Sequence, residues 1–452
     1  TNFPTTISVT QGTTPWVTTG NANVTVTGNV VGITTLPSIT GNVGVSGNVS
    51  ISGTPTVLLG DDNVDAFGRL RVSNPLTLFD TQSRYYDHGQ FSSSTNGTAT
   101  VTYVPNASTF TLAIGTTSGD SIIRESMKVF PYQPGKSLLI FNTFSMATPK
   151  ANLRQRVGFF GAQNGIFFET DGTTYNMVIR SYTSGSIVED RVPQSSWNGD
   201  RLNGAGGSVN PSGITLNPAL DQIFWTDVEW LGVGSVRVGF VINGVFYTCH
   251  TFNHANQAGN TTTYMTTATL PVRYEITNTG PTLSTSTMTQ ICSSVISEGG
   301  YTQTGPTETA GTGINVKRLT TSGTYYPIAS IRLASSRLDA IAAPTQVDVL
   351  SPTVNYYRWV LLKNTTLTGA TWAGTSSTGS VQYDTAATAF SGGTEIASGY
   401  VSSRELTTLA ATYFQNQLGR TLAGVSDTVT LALVATSNNA DVLAQLGWQE
   451  LT

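Results

Sequence analysis

The sequence predicts a mainly β protein, with an N-terminal repetitive β shaft that is trimeric, followed by jelly-roll or lectin-like β-sandwich domains. Three observations predict it. Over residues 223–250, IFWTDVEWLGVGSVRVGFVINGVFYTCH, side chains alternate with the period of half-buried strands. Short runs of the same kind recur between NG, SG, PG and DG pairs, and helical spacing is nearly absent. Only 11% of the 452 residues are charged while glycine numbers 46, so solubility rests on Ser, Thr and Asn, as in β-rich fibres rather than cytoplasmic enzymes.

In the central stretch Phe224, Val228 and Trp230 share one parity, and Trp225, Asp227 and Glu229 share the other. Val236, Val238, Phe240 and Ile242 resume the pattern after a glycine corner, and Asn243-Gly244 supplies a tight hairpin before Val245, Tyr247 and Cys249. The result is a three-stranded antiparallel meander with an aromatic face, which a second sheet should cover.

Residues 1–60 carry GNV units: GNVGVS is followed at once by GNVSIS, each with two branched residues, Val43 with Val45 and Val49 with Ile51. One chain cannot bury so thin a stripe, but three copies winding about an axis can, which predicts a homotrimer. Trp16, after Pro15, suits a hydrophobic anchor to another protein. Residues 61–90 read as a connector. Asp61, Asn63 and Asp65 open like a calcium loop, but Ala66 stands where glycine belongs and Ser73 where glutamate belongs, so a solvated turn is expected.

Residues 91–300 form a first sandwich of roughly ten or more strands, with 197–218 an aperiodic surface excursion. Residues 301–320 are a polar Gly/Thr linker, and 321–452 a second sandwich. One helix is expected there, because Ser402 and Glu405 have capping-box spacing and Leu406, Leu409, Ala410, Tyr413 and Leu418 follow before Gly419.

Composition narrows the chemistry. With 22 Lys plus Arg against 26 Asp plus Glu, no block is basic enough to follow phosphates, so no nucleic acid is expected as a partner. No run is apolar enough for membrane insertion, no basic and apolar leader stands at the start, and no cofactor motif is found. Cys249 and Cys292 read as small buried hydrophobes, both reduced. His250 and His254 are four apart but follow a strand, which suits hydrogen-bonded loop residues better than metal ligands. Asp227 and Glu229 share a strand face like a glycosidase pair, and equally like a solvated outer face. No catalytic residue is assigned.

The phrases DAFGRLRVSNPLTLFD (65–80), VGFFGAQNGIFFE (157–169), IFWTDVEWLGVGSVRVGFVINGV (223–245) and LPVRYEITNTG (270–280) resemble structural proteins of tailed bacteriophages, of the fibre or spike type. That resemblance implies a virion protein made in the host cytoplasm; together with the N-terminal repeats it is read here as a fibre or spike fixed to other virion proteins through its N-terminal region and serving host adhesion. Two alternatives stay open: a head-decoration, neck or tail scaffold that binds only virion partners, and a capsular-polysaccharide depolymerase. On the adhesive reading, Trp197 with Asn198 and Asp200, and Trp372 in TGATWAGTSSTG, combine ring and amide as host surface polysaccharide would require. The plainer reading has each tryptophan packed into its own sandwich.

Overall fold

The computed structural model describes residues 74–402, 404–408 and 416–451. The expected shaft with Val43, Val45, Val49 and Ile51, the anchor Trp16 and the 61–73 turn lie outside the described residues. Residues 72–452 belong to one unit.

Among the described residues, the first sandwich takes β1 (Leu76–Thr81), β2 (Phe91–Asn96), β3 (Thr100–Val104), β4 (Thr109–Ile114), β5 (Ser121–Ser126), β6 (Leu138–Ser145), β7 (Leu153–Phe160), β8 (Gly165–Asp171), β9 (Thr174–Ser181), β10 (Val188–Pro193), β11 (Gln222–Val228), β12 (Val236–Ile242), β13 (Val245–Phe252), β14 (Val272–Asn278) and β15 (Ser286–Ser297). An eight-stranded sheet runs β13-β12-β11-β6-β15-β4-β3, with β1 also paired to β15. A seven-stranded sheet runs β10-β9-β8-β7-β14-β5-β2. Every pairing in both is antiparallel.

The central meander folds as its alternation requires. Asn243 (φ 54°) and Gly244 (φ 80°) close the β12–β13 hairpin with the two positive angles that a two-residue turn matching strand twist needs. A bulge between Val238 and Gly239 shifts the register. The aromatic face is covered by the second sheet: Phe168 of β8 lies 6.1 Å from Phe224 and 5.2 Å from Phe240, ring centre to ring centre. All three rings are fully buried, and each contributes about 1.5–3 kcal/mol by leaving water. Polar pins also cross this core. Arg124 of β5 donates from Nε to Gln290 of β15 at 2.6 Å and lies 3.7 Å from the Phe110 ring centre. Burial depresses its pKa to about 10. The Tyr274 hydroxyl meets Ser293 Oγ at 2.7 Å.

Three boundaries differ from the expectation. The connector 61–90 contains β1, which pairs with β15 inside the first sandwich. The 301–320 linker supplies two strands, β16 (Thr307–Gly311) and β17 (Lys317–Leu319), both paired to the last strand of the second sandwich. The excursion 197–218 is not purely a surface loop, because Leu202 and Asn210 are fully buried and Leu216 nearly so. Threonine-rich composition hides the two short strands, since their pairing partner lies over a hundred residues away.

The second sandwich continues with β18 (Tyr325–Leu333), β19 (Ile341–Leu350), β20 (Tyr357–Lys363), β21 (Thr366–Thr368), β22 (Ala373–Gly374), β23 (Val381–Asp384), β24 (Ala389–Ser391), β25 (Thr394–Val401), β26 (Arg404–Thr408), β27 (Thr428–Ala435) and β28 (Ala440–Leu451). One sheet runs β16-β28-β19-β26, with β17 on β28, and the other runs β22-β23-β18-β27-β20-β25. Trp359, Leu431, Leu433, Leu446 and Trp448 are in its core. The expected helix is corrected over its first turn: Glu405 and Leu406 lie in β26, paired with Val349 and Asp348. Pairing along the side of β19 overrides the capping-box spacing, and residues 409–415 lie outside the described residues.

The two sandwiches are bonded to each other. Arg420 N donates to Met127 O at 2.7 Å, Gln417 Nε2 to Val129 O at 3.0 Å and Leu422 N to Ser92 Oγ at 3.0 Å. Arg420 also pairs with buried Glu125, and Val129, Ile341 and Leu451 form a small apolar cluster.

Candidate functional site

Strand alternation decides what each sheet shows outside. In the eight-stranded sheet Leu138, Ile140, Phe144, Phe224 and Val228 point inward, so Leu139, Phe141, Ile223, Trp225 and Asp227 point outward. Register aligns these in rows: Arg237, Asp227, Leu139 and Ile296 in one, and Gly239, Trp225, Phe141 and Ser294 in the next. Glycine is required at 239, where a Cβ would stand 1.9 Å from the Tyr247 carbonyl oxygen and 3.0 Å from the Trp225 indole nitrogen. Phe246 of β13 meets Trp225 and Phe141 edge-on at 5.5 and 5.9 Å and stays 52% exposed, and Ile223 beside it is 39% exposed.

A polar cleft of about 540 Å³ lies on this face, lined by Tyr132, Lys136, Asp227, Glu229, Ser235 and Arg237 among others. Burial pushes the Asp227 pKa up. Arg237, whose Nε donates to Oδ2 at 2.8 Å, offsets only part of that rise, to which Glu298 and Glu229 add. Glu229 accepts the Ser235 amide at 3.4 Å, and Lys136 Nζ donates to Gln133 at 2.9 Å. The cleft therefore offers hydrogen-bonding groups of both signs. Its central carboxylate is held by a guanidinium, with Glu229 and Glu298 close enough to oppose its ionisation.

The outer face of the seven-stranded sheet is built differently. Arg156 of β7 reaches Glu169 of β8 at 2.8 Å, Glu189 of β10 at 3.2 Å and Glu275 of β14 at 3.4 Å. Arg180 of β9 pairs with Glu189 at 2.7 Å, Arg191 of β10 with Glu169 at 2.9 Å, and Arg273 of β14 with Glu275 at 2.7 Å and with Glu125 at 3.1 Å. The guanidinium groups of Arg156, Arg180 and Arg273 stand 5.1–5.4 Å from the ring centres of Phe160 and Phe167. Those rings form a small cluster with Val178, separate from the sandwich core yet fully buried. Burial alone would raise the Glu189 carboxyl, but Arg156, Arg180 and Arg191 outweigh it and hold its pKa below the usual range.

The candidate receptor residues separate. Trp197 is 1% exposed and donates from its indole nitrogen to Val192 O at 3.0 Å, so it is a core residue and not an exposed platform. Asn198 ties its loop to β13 through Thr251, accepting its amide at 2.8 Å and donating to its carbonyl at 2.8 Å. Buried Asp200 accepts Leu202 N at 3.0 Å, Asn210 Nδ2 at 2.6 Å and Ser212 N at 3.0 Å. Burial opposes its ionisation, yet these bonds bring its pKa below the ordinary value. Trp197 and Asp200 are therefore buried within the loop's own structure, whereas Asn198 stays exposed while tied to Thr251. A buried carboxylate satisfying several amides lets an aperiodic segment enter the core.

Trp372 is half-buried, with the Arg332 guanidinium 4.2 Å from its ring centre. Its loop is anchored by buried Asp384, which accepts Thr371 N at 2.6 Å, Ala386 N at 3.2 Å and Ala387 N at 3.1 Å. His250 lies within β13 rather than in a loop after it, paired with Val238. Both histidines are bonded to backbone: His250 Nδ1 accepts Asn198 N at 3.2 Å, and His254 Nδ1 donates to Gly234 O at 2.8 Å while stacking on Tyr264. Among the described residues no group of three or more His, Cys, Asp or Glu could hold a metal, and no helix is long and apolar enough to cross a membrane. Cys249 is buried, whereas Cys292 is half-buried.

Sequence reasoning missed the arginine–glutamate layer and the apolar strip around Phe246. A signal for the first was present: RQR (154–156), Glu169, Glu189 with Arg191, and Arg273 with Glu275 place charges at alternate strand positions in a chain otherwise poor in charge.

No family model matches the chain, and no curated protein matches it in sequence. Similar solved structures include a protein of unknown function from Shewanella oneidensis MR-1, at 10% identity and TM-score 0.32, over 56% of this chain and 100% of that one. A GH16 protein of the Bacteroides ovatus mixed-linkage glucan locus, in complex with product, gives 10% identity and TM-score 0.30 over 48% of this chain and 99% of that one. Peanut lectin gives 12% identity and TM-score 0.28 over 50% of this chain and 98% of that one. At these values the likenesses assign neither activity nor ligand.

Proposed function

We propose that the chain is a structural and adhesive virion protein of a tailed phage, a trimeric fibre or spike fixed to the particle by its N-terminal region and without hydrolytic activity. One observation supports it most. The phage-like phrases are not scattered: 157–169 and 270–280 supply β7, β8 and β14, adjacent in the seven-stranded sheet, and 223–245 supplies β11 and β12 in the sheet packed on it. They meet at Phe168, Phe224 and Phe240 in the core. Asp227 on one outer face, and Glu169, Glu189 and Glu275 on the other, are engaged with arginines, which favours a scaffold over a depolymerase.

The test uses antibody against the recombinant chain on particles of the phage that encodes it. Gold label on tail appendages, with adsorption to host cells blocked, is the expected result. Label on head or neck with adsorption unchanged would replace this reading with the virion-scaffold one. Release of reducing ends from host polysaccharide by the purified chain, abolished by Asp227→Asn, would replace it with the depolymerase one.

A further inference from the structure

We propose that the outer face of the eight-stranded sheet is a contact between copies of this chain, with a second copy covering the strip formed by Leu139, Phe141, Ile223, Val241, Phe246 and Ile296. The contrast between the two outer faces of one sandwich leads to it. On the seven-stranded sheet Phe160 and Phe167 are covered by the chain's own arginines and fully buried. On the eight-stranded sheet Phe246 and Ile223 remain 52% and 39% exposed, and Leu139, Phe141, Val241 and Ile296 half-buried, across five neighbouring strands. A contiguous apolar face of this kind on an otherwise hydroxyl-rich surface marks an interaction site.

Chain connectivity selects the occupant. The 73 residues preceding Asn74 include the GNV repeats and join the body at β1, and β1 belongs to this same sheet, with Asp80 opposite Ser294 and Thr77 opposite Ile296. This step rests on the trimeric reading of those repeats. If they gather three copies, the surface that shares a sheet with β1 is held at an effective concentration of about millimolar order towards its neighbours, so even a weak apolar contact is occupied. Rotation about a common axis brings three identical strips together without an open-ended assembly.

Cys292 provides a native reporter. It lies opposite Thr143 on β6, half-buried, beside a depression of about 190 Å³ that Phe141 and Ser294 also line. Phe246 is on β13, with three strands between it and β15, but its ring meets Phe141 beside the thiol. Val241→Asp on β12, another residue of the strip, is therefore labelled alongside to separate loss of the contact from loosening of Phe141. In the full-length chain, maleimide labelling of Cys292 should be at least about tenfold faster in Phe246→Asp than in wild type. Leu283→Asp, at a fully exposed site elsewhere, should leave it unchanged. Phe246→Ser serves as the second variant if the aspartate disturbs folding by circular dichroism. Light scattering is read on the same samples. A wild-type mass of about three times 47.8 kDa with Cys292 labelling equal in wild type and the Phe246 and Val241 variants would overturn the contact while leaving the trimer standing. A wild-type mass near 47.8 kDa would overturn the trimer and this contact with it. Protection of Cys292 in assembled particles but not in the purified trimer would assign the strip to another virion protein and refute the inference.

Discussion

Arg156→Met tests whether the arginine–glutamate layer holds the seven-stranded sheet together. Arg156 is 4% exposed and contacts three carboxylates on three strands while lying over Phe167. Removing one partner from a buried ion pair costs about 3–5 kcal/mol, because the remaining charge stays desolvated. Glu169 would keep Arg191 and Asn176, and Glu189 would keep Arg180, so the lower end, about 3 kcal/mol, is expected. That corresponds to a factor of roughly 100 or more in the opening equilibrium of these strands. Hydrogen–deuterium exchange of β7 to β9 amides in the full chain reads it directly, with urea unfolding as the second measure. Arg191→Met is the control: its side chain is 37% exposed, and about 1 kcal/mol or less is expected. Arg156→Lys keeps the charge but cannot fork between three carboxylates, and should fall between them. If Arg156→Met and Arg191→Met exchange alike, the layer contributes no more than surface pairs and the reasoning fails.

Phe168→Ala removes the ring that joins the two sheets, and should cost about 3–5 kcal/mol in thermal or urea unfolding; a loss below about 1 kcal/mol would mean the sheets do not pack through it. Lys128 is held by burial, and then by Lys363, at a pKa of about 8 against an ordinary 10.5. The folded chain therefore carries fewer protons than the unfolded chain between those values, so stability contributed by this group rises as pH goes from about 8 to about 10.5. Urea midpoints across that window should climb in wild type relative to Lys128→Met; a constant difference between the two would contradict the shift. Trp372→Ala should lower adsorption of phage particles while costing the isolated chain only about 1 kcal/mol in melting, since the ring is half-buried under Arg332 at a carboxylate-anchored loop. Adsorption at the wild-type rate would remove Trp372 as a receptor contact.

Local pattern alone identified the strands of the meander, the Asn243-Gly244 hairpin and the need for a covering sheet, because period-two alternation and turn chemistry are properties of a few adjacent residues. The weak charge content was legible too, but not its placement on one face, since Arg156 meets Glu275 across 119 residues of chain.

Tertiary structure decided the rest. Trp197, Asn198 and Asp200 combine ring and amide as a sugar site would, and equally suit a tryptophan packed into its own sandwich; the structure buries Trp197, and Asp200 accepts enough hydrogen bonds to take the loop into the core. Glu405 and Leu406 have helical spacing but lie in β26, because pairing with β19 supplies backbone bonds that local propensity cannot outweigh. Alternation states that a strand has two faces, and the packing partner determines which is buried. Phe168 and Phe246 are both strand aromatics in the sequence; only the sheet facing Phe168 makes one a core residue and leaves the other at the surface.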